Sequence, residues 1–364
     1  MTPIKIPENR RLEIKEAVLQ ALQNSSMYTL PIKIKAIVRS FTNIRLISFS
    51  KHMRAFDLTY KQMIAFVESN DACTDYYAKY NLYYIYYNDI DKNITISNRY
   101  RWNIAHELGH ILLEHHIDNH KTRIFRSKLT DEEYNMLEAE ADYFAQLILV
   151  PHSVLLGFKV DNYRSIRNMC KISDPAAKRR FFDFLIWKRH IDPNETYDRA
   201  LFYLYYPFIF KRECRNCGAA LTQRHGKYCP ICGKITLQWG EGKMKYSKME
   251  TYGNGKVKIC PVCANEETDI DGDFCQICNT LLVNKCDDRS VDNYSDDWQP
   301  CGQILPANAR YCPKCGSHST FFNDKILKPW DWKEPSFPVG KGFMNIPDSH
   351  DLPDGVEDEG LPFN

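Results

Sequence analysis

The chain is short of several things, and each shortage narrows what it can be. Its 364 residues carry a formal net charge of only +2, so no global field draws it to nucleic acid or to a membrane. The first residues, "MTPIKIPENRRLEIK", have no apolar core of the kind a signal peptide needs. The longest greasy run, "LFYLYYPFIF" (201–210), falls short of the ~20 residues of a membrane helix, and Pro207 interrupts it. A soluble, cytoplasmic protein is expected. Cysteine is nearly missing from the first 210 residues, where only Cys73 and Cys170 occur. Neither has a recognisable catalytic neighbour, and both read as ordinary thiols.

The other twelve cysteines lie between 214 and 315. Five C-x-x-C pairs without a secretion signal favour metal over disulfides. Cys214, Cys217, Cys229 and Cys232 follow C-x2-C-x11-C-x2-C, and Cys260, Cys263, Cys275 and Cys278 repeat that spacing. Two cysteine knuckles on one tetrahedral zinc explain the pattern, and such ribbons depend on metal for their folding. A third set is less regular. Cys301, Cys312 and Cys315 hold ribbon positions and Trp298 stands where a partner is expected; either Cys286 completes the set across an acidic insertion, or the ribbon is degenerate and held by three ligands or none. Residues 211–258 carry eleven Lys or Arg against three acids, and 259–300 carry two against ten. The ribbon surface is either solvated with no ligand or docks a protein partner, and nucleic acid comes last.

Ahead of the cysteines, residues 8–23 and 31–40 read as helices, "NIRLISFS" (43–50) as a strand and "TYKQMIAFVES" (59–69) as a helix. "ACTDYYAKYN" and "LYYIYYND" suggest an antiparallel set of strands, and "NITISN" either adds another or leads directly into the next helix. "RWNIAHELGHILLEHH" (101–116) contains His-Glu-x-x-His. His106 and His110 share one helix face and so reach one metal, with Glu107 beside it as general base. Ile104, Leu108 and Ile111 form an apolar stripe roughly opposite.

A catalytic zinc takes three protein ligands and keeps a fourth position open. His116 has the spacing of the longer H-E-x-x-H-x-x-G-x-x-H motif, but Leu113 replaces its glycine. On a continuous helix His116 would lie ~9 Å beyond His110, so it is rejected, and His115, His116 and His120 are read as surface residues at a helix end. The helix "KLTDEEYNMLEAEADYFAQLILVP" opens with a Thr130/Glu133 capping box and closes before Pro151. Glu138 and Glu140 flank its apolar stripe at comparable angles. Asp142, one turn after Glu138, favours Glu138 as the third ligand, with Asp142 orienting a ligand histidine. Glu140 is read as a solvated flank. Residues 163–190 read as two more helices.

The segments "NLYYIYYND", "RYRWNIAHELGHILLEH", "EAEADYFAQLILVP" and "CKISDPAAKRR" resemble the ImmA/IrrE family of zinc metallo-endopeptidases over roughly residues 43–190. A later element of that family corresponds to Ile172, Ser173, Ala176 or Ala177, and Arg179 or Arg180. The resemblance implies His106, His110 and Glu138 as ligands and Glu107 as catalytic base. It also implies helix-turn-helix repressors as the substrate class. Tyr134, Tyr143 and His115 are candidates for stabilising an oxyanion, and spacing does not choose among them.

The expected architecture is α+β. An N-terminal helical segment (1–42) precedes a compact zincin-like peptidase domain (43–200), a zinc-ribbon array (211–320) and a disordered acidic tail (321–364). The expected cofactors are one catalytic and two or three structural Zn2+. The expected activity is endopeptidase cleavage of a regulatory protein. The competing class is a binding protein whose ribbons recognise a partner and whose peptidase domain is a scaffold.

Overall fold

A computed structural model describes residues 5–93, 98–118, 130–192, 195–287 and 301–333. It divides into two units, the first formed by residues 1–227 and 235–246 and the second by 228–234 and 247–364. That boundary cuts through the first cysteine repeat, with Cys214 and Cys217 in the first unit and Cys229 and Cys232 in the second.

In the first unit, helix α1 (Glu8–Ser25) buries Ile14, Val18 and Leu22 completely, at spacings of four that make one helical face. After α2 (Ile34–Arg39) come β1 (Ile44–Ser48), α3 (Phe49–Phe56), α4 (Tyr60–Val67), β2 (Ala72–Tyr77) and β3 (Leu82–Tyr87). The sheet order is β1-β3-β2. β2 runs antiparallel to β3 in the register Ala72↔Tyr87 to Tyr77↔Leu82, as the sequence leads one to expect. β1 is parallel to β3, with Ile44 opposite Tyr83, so the sheet is mixed. The helices between the first two strands allow this crossover. Of them α3 is not apparent from sequence; Ser48 caps it by accepting from Lys51 N.

β3 is the middle strand and is covered on both faces. Tyr83, Ile85 and Tyr87 join the main core, while Tyr86 packs with Phe49, Met63 and Val67 of α3 and α4. The tyrosine-rich strands are thus largely core, with Tyr77 and Tyr80 exposed.

Helix α5 (Arg99–Leu112) carries the His-Glu-x-x-His motif, and Ile104, Leu108 and Ile111 are buried along it as expected. A short turn, α6 (His115–Asp118), follows, and then α7 (Asp131–Leu149). The expected capping box is present: Thr130 Oγ1 accepts from Glu133 N at 3.2 Å, and Thr130 N donates to Glu133 Oε2 at 2.9 Å. Ala141, Phe144, Ala145 and Ile148 form the buried stripe of α7. α5 and α7 approach closely at Gly109, where a Cβ would stand 3.2 Å from Ala141 Cα and from Phe144. α8 (His152–Gly157), α9 (Tyr163–Cys170), α10 (Asp174–Arg189) and α11 (Thr196–Ile209) complete the domain. α11 contains most of the greasy run with its Pro207, and it buries Tyr205 fully. No helix among the described residues is long and apolar enough to cross a membrane.

The second unit has a small core of its own built on Val257, Leu282, Phe321 and Leu327. Phe321 is completely buried and Thr320–Asn323 form a helical turn. The packed region therefore extends past residue 320, because these apolar side chains supply part of the second unit's core. The tail from 334 onward lies outside the described residues, as do the acidic insertion with Trp298 and most of "NITISN". An α+β domain followed along the chain by cysteine clusters is the architecture observed.

Candidate metal centre

α5 and α7 bring three ligand atoms together. His110 Nε2 lies 3.1 Å from His106 Nε2. Glu138 places Oε2 3.3 Å from His106 Nε2 and Oε1 3.5 Å from His110 Nε2. A tetrahedral zinc with bonds of ~2.0–2.1 Å to nitrogen and oxygen has edges of ~3.3 Å. The donor set and its spacing fit that ion.

The charges point the same way. Burial works against protonated His106, but hydrogen bonds with Asp142 and Glu138 outweigh it and raise the imidazole to about 10. Burial takes His110 down to about 3 against the pull of Glu138, with His106 and His115 adding to the fall. Burial also opposes ionised Glu138, yet both histidines hold it below the usual carboxylate range. A pocket that keeps a proton between imidazole and carboxylates suits a divalent cation equally well.

Asp142 accepts from, or pairs with, His106 Nδ1 at 3.0 Å, the position expected for a group that orients this ligand. Glu107 lies on the wall of a cleft of about 540 Å3 shared with His106, His110 and Glu138. Burial raises its carboxyl, while the charge of His106 and a bond from Thr74 pull the other way. Thr74 Oγ1 donates to Glu107 Oε2 at 2.7 Å. Sequence reasoning missed Thr74, since nothing in "ACTDYY" connects strand β2 to a carboxylate on α5.

Two sequence readings require correction. His115 and His116 are not surface residues; they are 1% and 2% exposed. α5 stops at Leu112, and Glu114 takes a left-handed conformation (φ 60°) that turns the chain. His115 thereby folds back onto His110, with their Nδ1 atoms 2.8 Å apart. His116 packs near Tyr76 and Tyr83 and lines the cleft, outside the three-ligand group. His120 lies outside the described residues.

Glu140 is not solvated either. At 5% exposure it accepts from Arg10 of α1 at 2.9 Å and meets His115 Nε2 at 3.0 Å.

Of the three oxyanion candidates only Tyr134 lines the cleft. His115 stands behind His110, and Tyr143 faces Arg11. Burial pushes the Cys170 thiol up to about 12, which leaves it a poor nucleophile, in keeping with the ordinary thiol expected.

In the second unit, Cys260, Cys263, Cys275 and Cys278 bring their sulfurs within 4.8 Å of one another, and so do Cys286, Cys301, Cys312 and Cys315. The separations include 3.5 Å for Cys260–Cys278, 3.6 Å for Cys263–Cys275, 3.4 Å for Cys286–Cys315 and 3.8 Å for Cys301–Cys312. A zinc with sulfur bonds of ~2.3 Å has edges of ~3.8 Å. Cys286 joins the third set through an isolated bridge to Ser319 and a bond from its N to Gln303 O.

Residues 78–181 match a peptidase family model described as the IrrE N-terminal-like domain. No curated protein matches the chain closely enough to count as a relative. The family match supports a metallopeptidase-type function. It spans α5 and α7 but not Thr74 or α1.

Proposed function

We propose that the protein is a zinc-dependent endopeptidase of the cytoplasm that cleaves a regulatory protein selectively. The observation that carries the reading is the juxtaposition of three ligand atoms at tetrahedral spacing with the carboxylate of Glu107 on one cleft wall. His106, His110 and Glu138 would hold the ion. When bound, it supplies Lewis-acid polarisation of the scissile carbonyl and acidifies water. Glu107 takes the proton from the attacking water and returns it to the leaving amine. Its enclosure favours this cycle, because burial raises the carboxyl above its ordinary range and so makes it a better proton acceptor. Thr74 fixes the carboxylate's orientation. Asp142 fixes the ring of His106. Tyr134, on the cleft wall, is the candidate donor to the developing oxyanion. Among the described residues β2 is an edge strand whose Ala72, Cys73 and Thr74 border the cleft, and an extended peptide can pair there.

Each of the three cysteine sets would hold one structural zinc, and the array serves to dock a protein partner. A helix-turn-helix repressor as substrate rests on the resemblance to ImmA/IrrE peptidases. The test compares new protein N-termini in host extracts treated with wild-type chain or Glu107→Gln. A small set of cuts confined to the wild type is expected and would name the substrate. Stable capture of a partner without any Glu107-dependent cut would favour the binding-protein reading.

A further inference from the structure

The two ligand histidines are supported differently. His106 has a carboxylate directly on Nδ1, and that of Asp142 is half exposed. Among the described residues His110 has no carboxylate there. Its Nδ1 meets His115 Nδ1 at 2.8 Å, His115 Nε2 meets Glu140 Oε2 at 3.0 Å, and Glu140 is held by Arg10 at 2.9 Å. Arg10 is held in turn by Glu13 Oε2 at 2.7 Å and donates to Leu113 O at 3.2 Å. His110, His115 and Glu140 are all 5% exposed or less.

Proton bookkeeping gives this row one direction. His110 points Nε2 at His106 and Glu138, so as a ligand through Nε2 it carries its hydrogen on Nδ1. It therefore donates to His115 Nδ1, which must accept. His115 is then the tautomer with hydrogen on Nε2, and it donates to the Glu140 carboxylate. Arg10 neutralises that carboxylate in a place where an unpaired charge is costly. Arg10 Nη2 also stands 3.5 Å from His115 Nε2, as two donors do when they share one acceptor.

We infer that His115, Glu140 and Arg10 are positioning residues that lock His110 in its ligating tautomer and orientation, making the N-terminal helix α1 part of the metal centre. The inference rests on the metal-site reading given above and extends it to a helix outside the region matched by the family model. Arg10 reaches the carboxylate across 130 positions of sequence. The turn at Glu114 exists, on this view, to bring His115 behind His110.

The test reads metal affinity in the full-length chain, by competition with a graded series of chelators. His106→Ala and Glu138→Ala define the ion that belongs to this site, as distinct from those on the cysteines. His115→Phe keeps a ring but breaks the relay, and should weaken that ion's binding about 10–100-fold. His115→Gln restores one acceptor and one donor in the same order, and should recover most of the affinity. Arg10→Met should weaken binding and Arg10→Lys should not. Recovery with Gln and Lys is what a purely space-filling role would not give.

If His106→Ala and Glu138→Ala release no ion, the metal-site reading fails and this inference with it. If they release one ion while His115→Phe and Arg10→Met bind it like wild type, the reading stands and the relay is refuted. Should His115→Phe fail to fold by circular dichroism, the two Arg10 variants decide the question from the far end of the row.

Discussion

Replacing Thr74 by Val should move the acid limb of the cleavage rate toward alkaline pH. Thr74 is 3% exposed and donates through Oγ1 to Glu107 Oε2 at 2.7 Å. Valine has the same shape without the donor. Burial already raises the Glu107 carboxyl, and the Thr74 bond is one of the two influences that oppose it. A hydrogen bond to a charged group is worth about 1.5–3 kcal/mol, and one pH unit corresponds to about 1.4 kcal/mol. Losing the bond should therefore raise the pKa of Glu107 further. The sign follows from the role: a general base works ionised, so a higher pKa costs rate on the acid side and nothing well above the limb. At a pH below both limbs the variant should be about 10- to 100-fold slower. Whatever the ion contributes to the charge around Glu107 is common to both proteins and cancels in the comparison. The assay is kcat/KM against pH on a fluorogenic peptide selected with the wild-type protein, for wild type, Thr74→Val and Thr74→Ser. Serine keeps the donor and should leave the limb in place. An active Thr74→Val whose limb does not move, or whose rate drops equally at all pH values, would refute the assignment.

Glu107→Gln should retain its full metal content and lose cleavage, as measured by elemental analysis beside the peptide assay. Glu138→Ala should carry one metal ion fewer per chain with the cysteine-bound ions untouched; an unchanged count would discard Glu138 as a ligand. Cys286→Ser should likewise cost one ion, and its loss should loosen the packing around Phe321, read as increased proteolysis of the second unit. Arg101→Met should destabilise the first unit by about 3 kcal/mol or more in urea unfolding. The buried guanidinium donates to Ile32 O at 2.8 Å, to Lys171 O at 2.9 Å and to Cys170 O, and each carbonyl left unmet costs about 1–3 kcal/mol, less the desolvation that the arginine no longer suffers. A midpoint within error of wild type would show that water replaces it.

What could be read from sequence was what local geometry dictates. Two histidines four residues apart on a helix must share a face, and ribbon cysteines must recur at knuckle spacing. Both patterns survive without knowledge of the fold. Choosing Glu138 over Glu140 needed one more local rule, that a group orienting a ligand sits one turn away. Asp142 lies at that spacing, 3.0 Å from His106 Nδ1. The errors all involve partners brought from elsewhere. Glu140 looks like Glu138 on a helical wheel, but on its flank of α7 it meets Arg10 of α1 rather than water. His115 and His116 looked exposed because the helix was continued past Leu113. The turn at Glu114 has no glycine to announce it, and a left-handed non-glycine residue is uncommon. The parallel pairing of β1 with β3 runs through a crossover that includes α3, whose first residues, Phe49 and Ser50, read in the sequence as the end of the strand.

The split between what was legible and what was not has a chemical origin. Groups that would touch the ion are constrained by bond lengths and angles, so their spacing along α5 and α7 is stereotyped. Groups that hold those ligands need only a hydrogen bond in the right direction, and any element of the fold can supply it. His106 draws its support from its own helix pair, while His110 draws it from a chain reversal and from α1. A domain cut to the region resembling known peptidases would keep His106, His110 and Glu138 and lose Arg10, leaving the Glu140 carboxylate buried without its cation. Such a fragment should therefore hold an ion at His106, His110 and Glu138 more weakly than the full chain does, even where it folds.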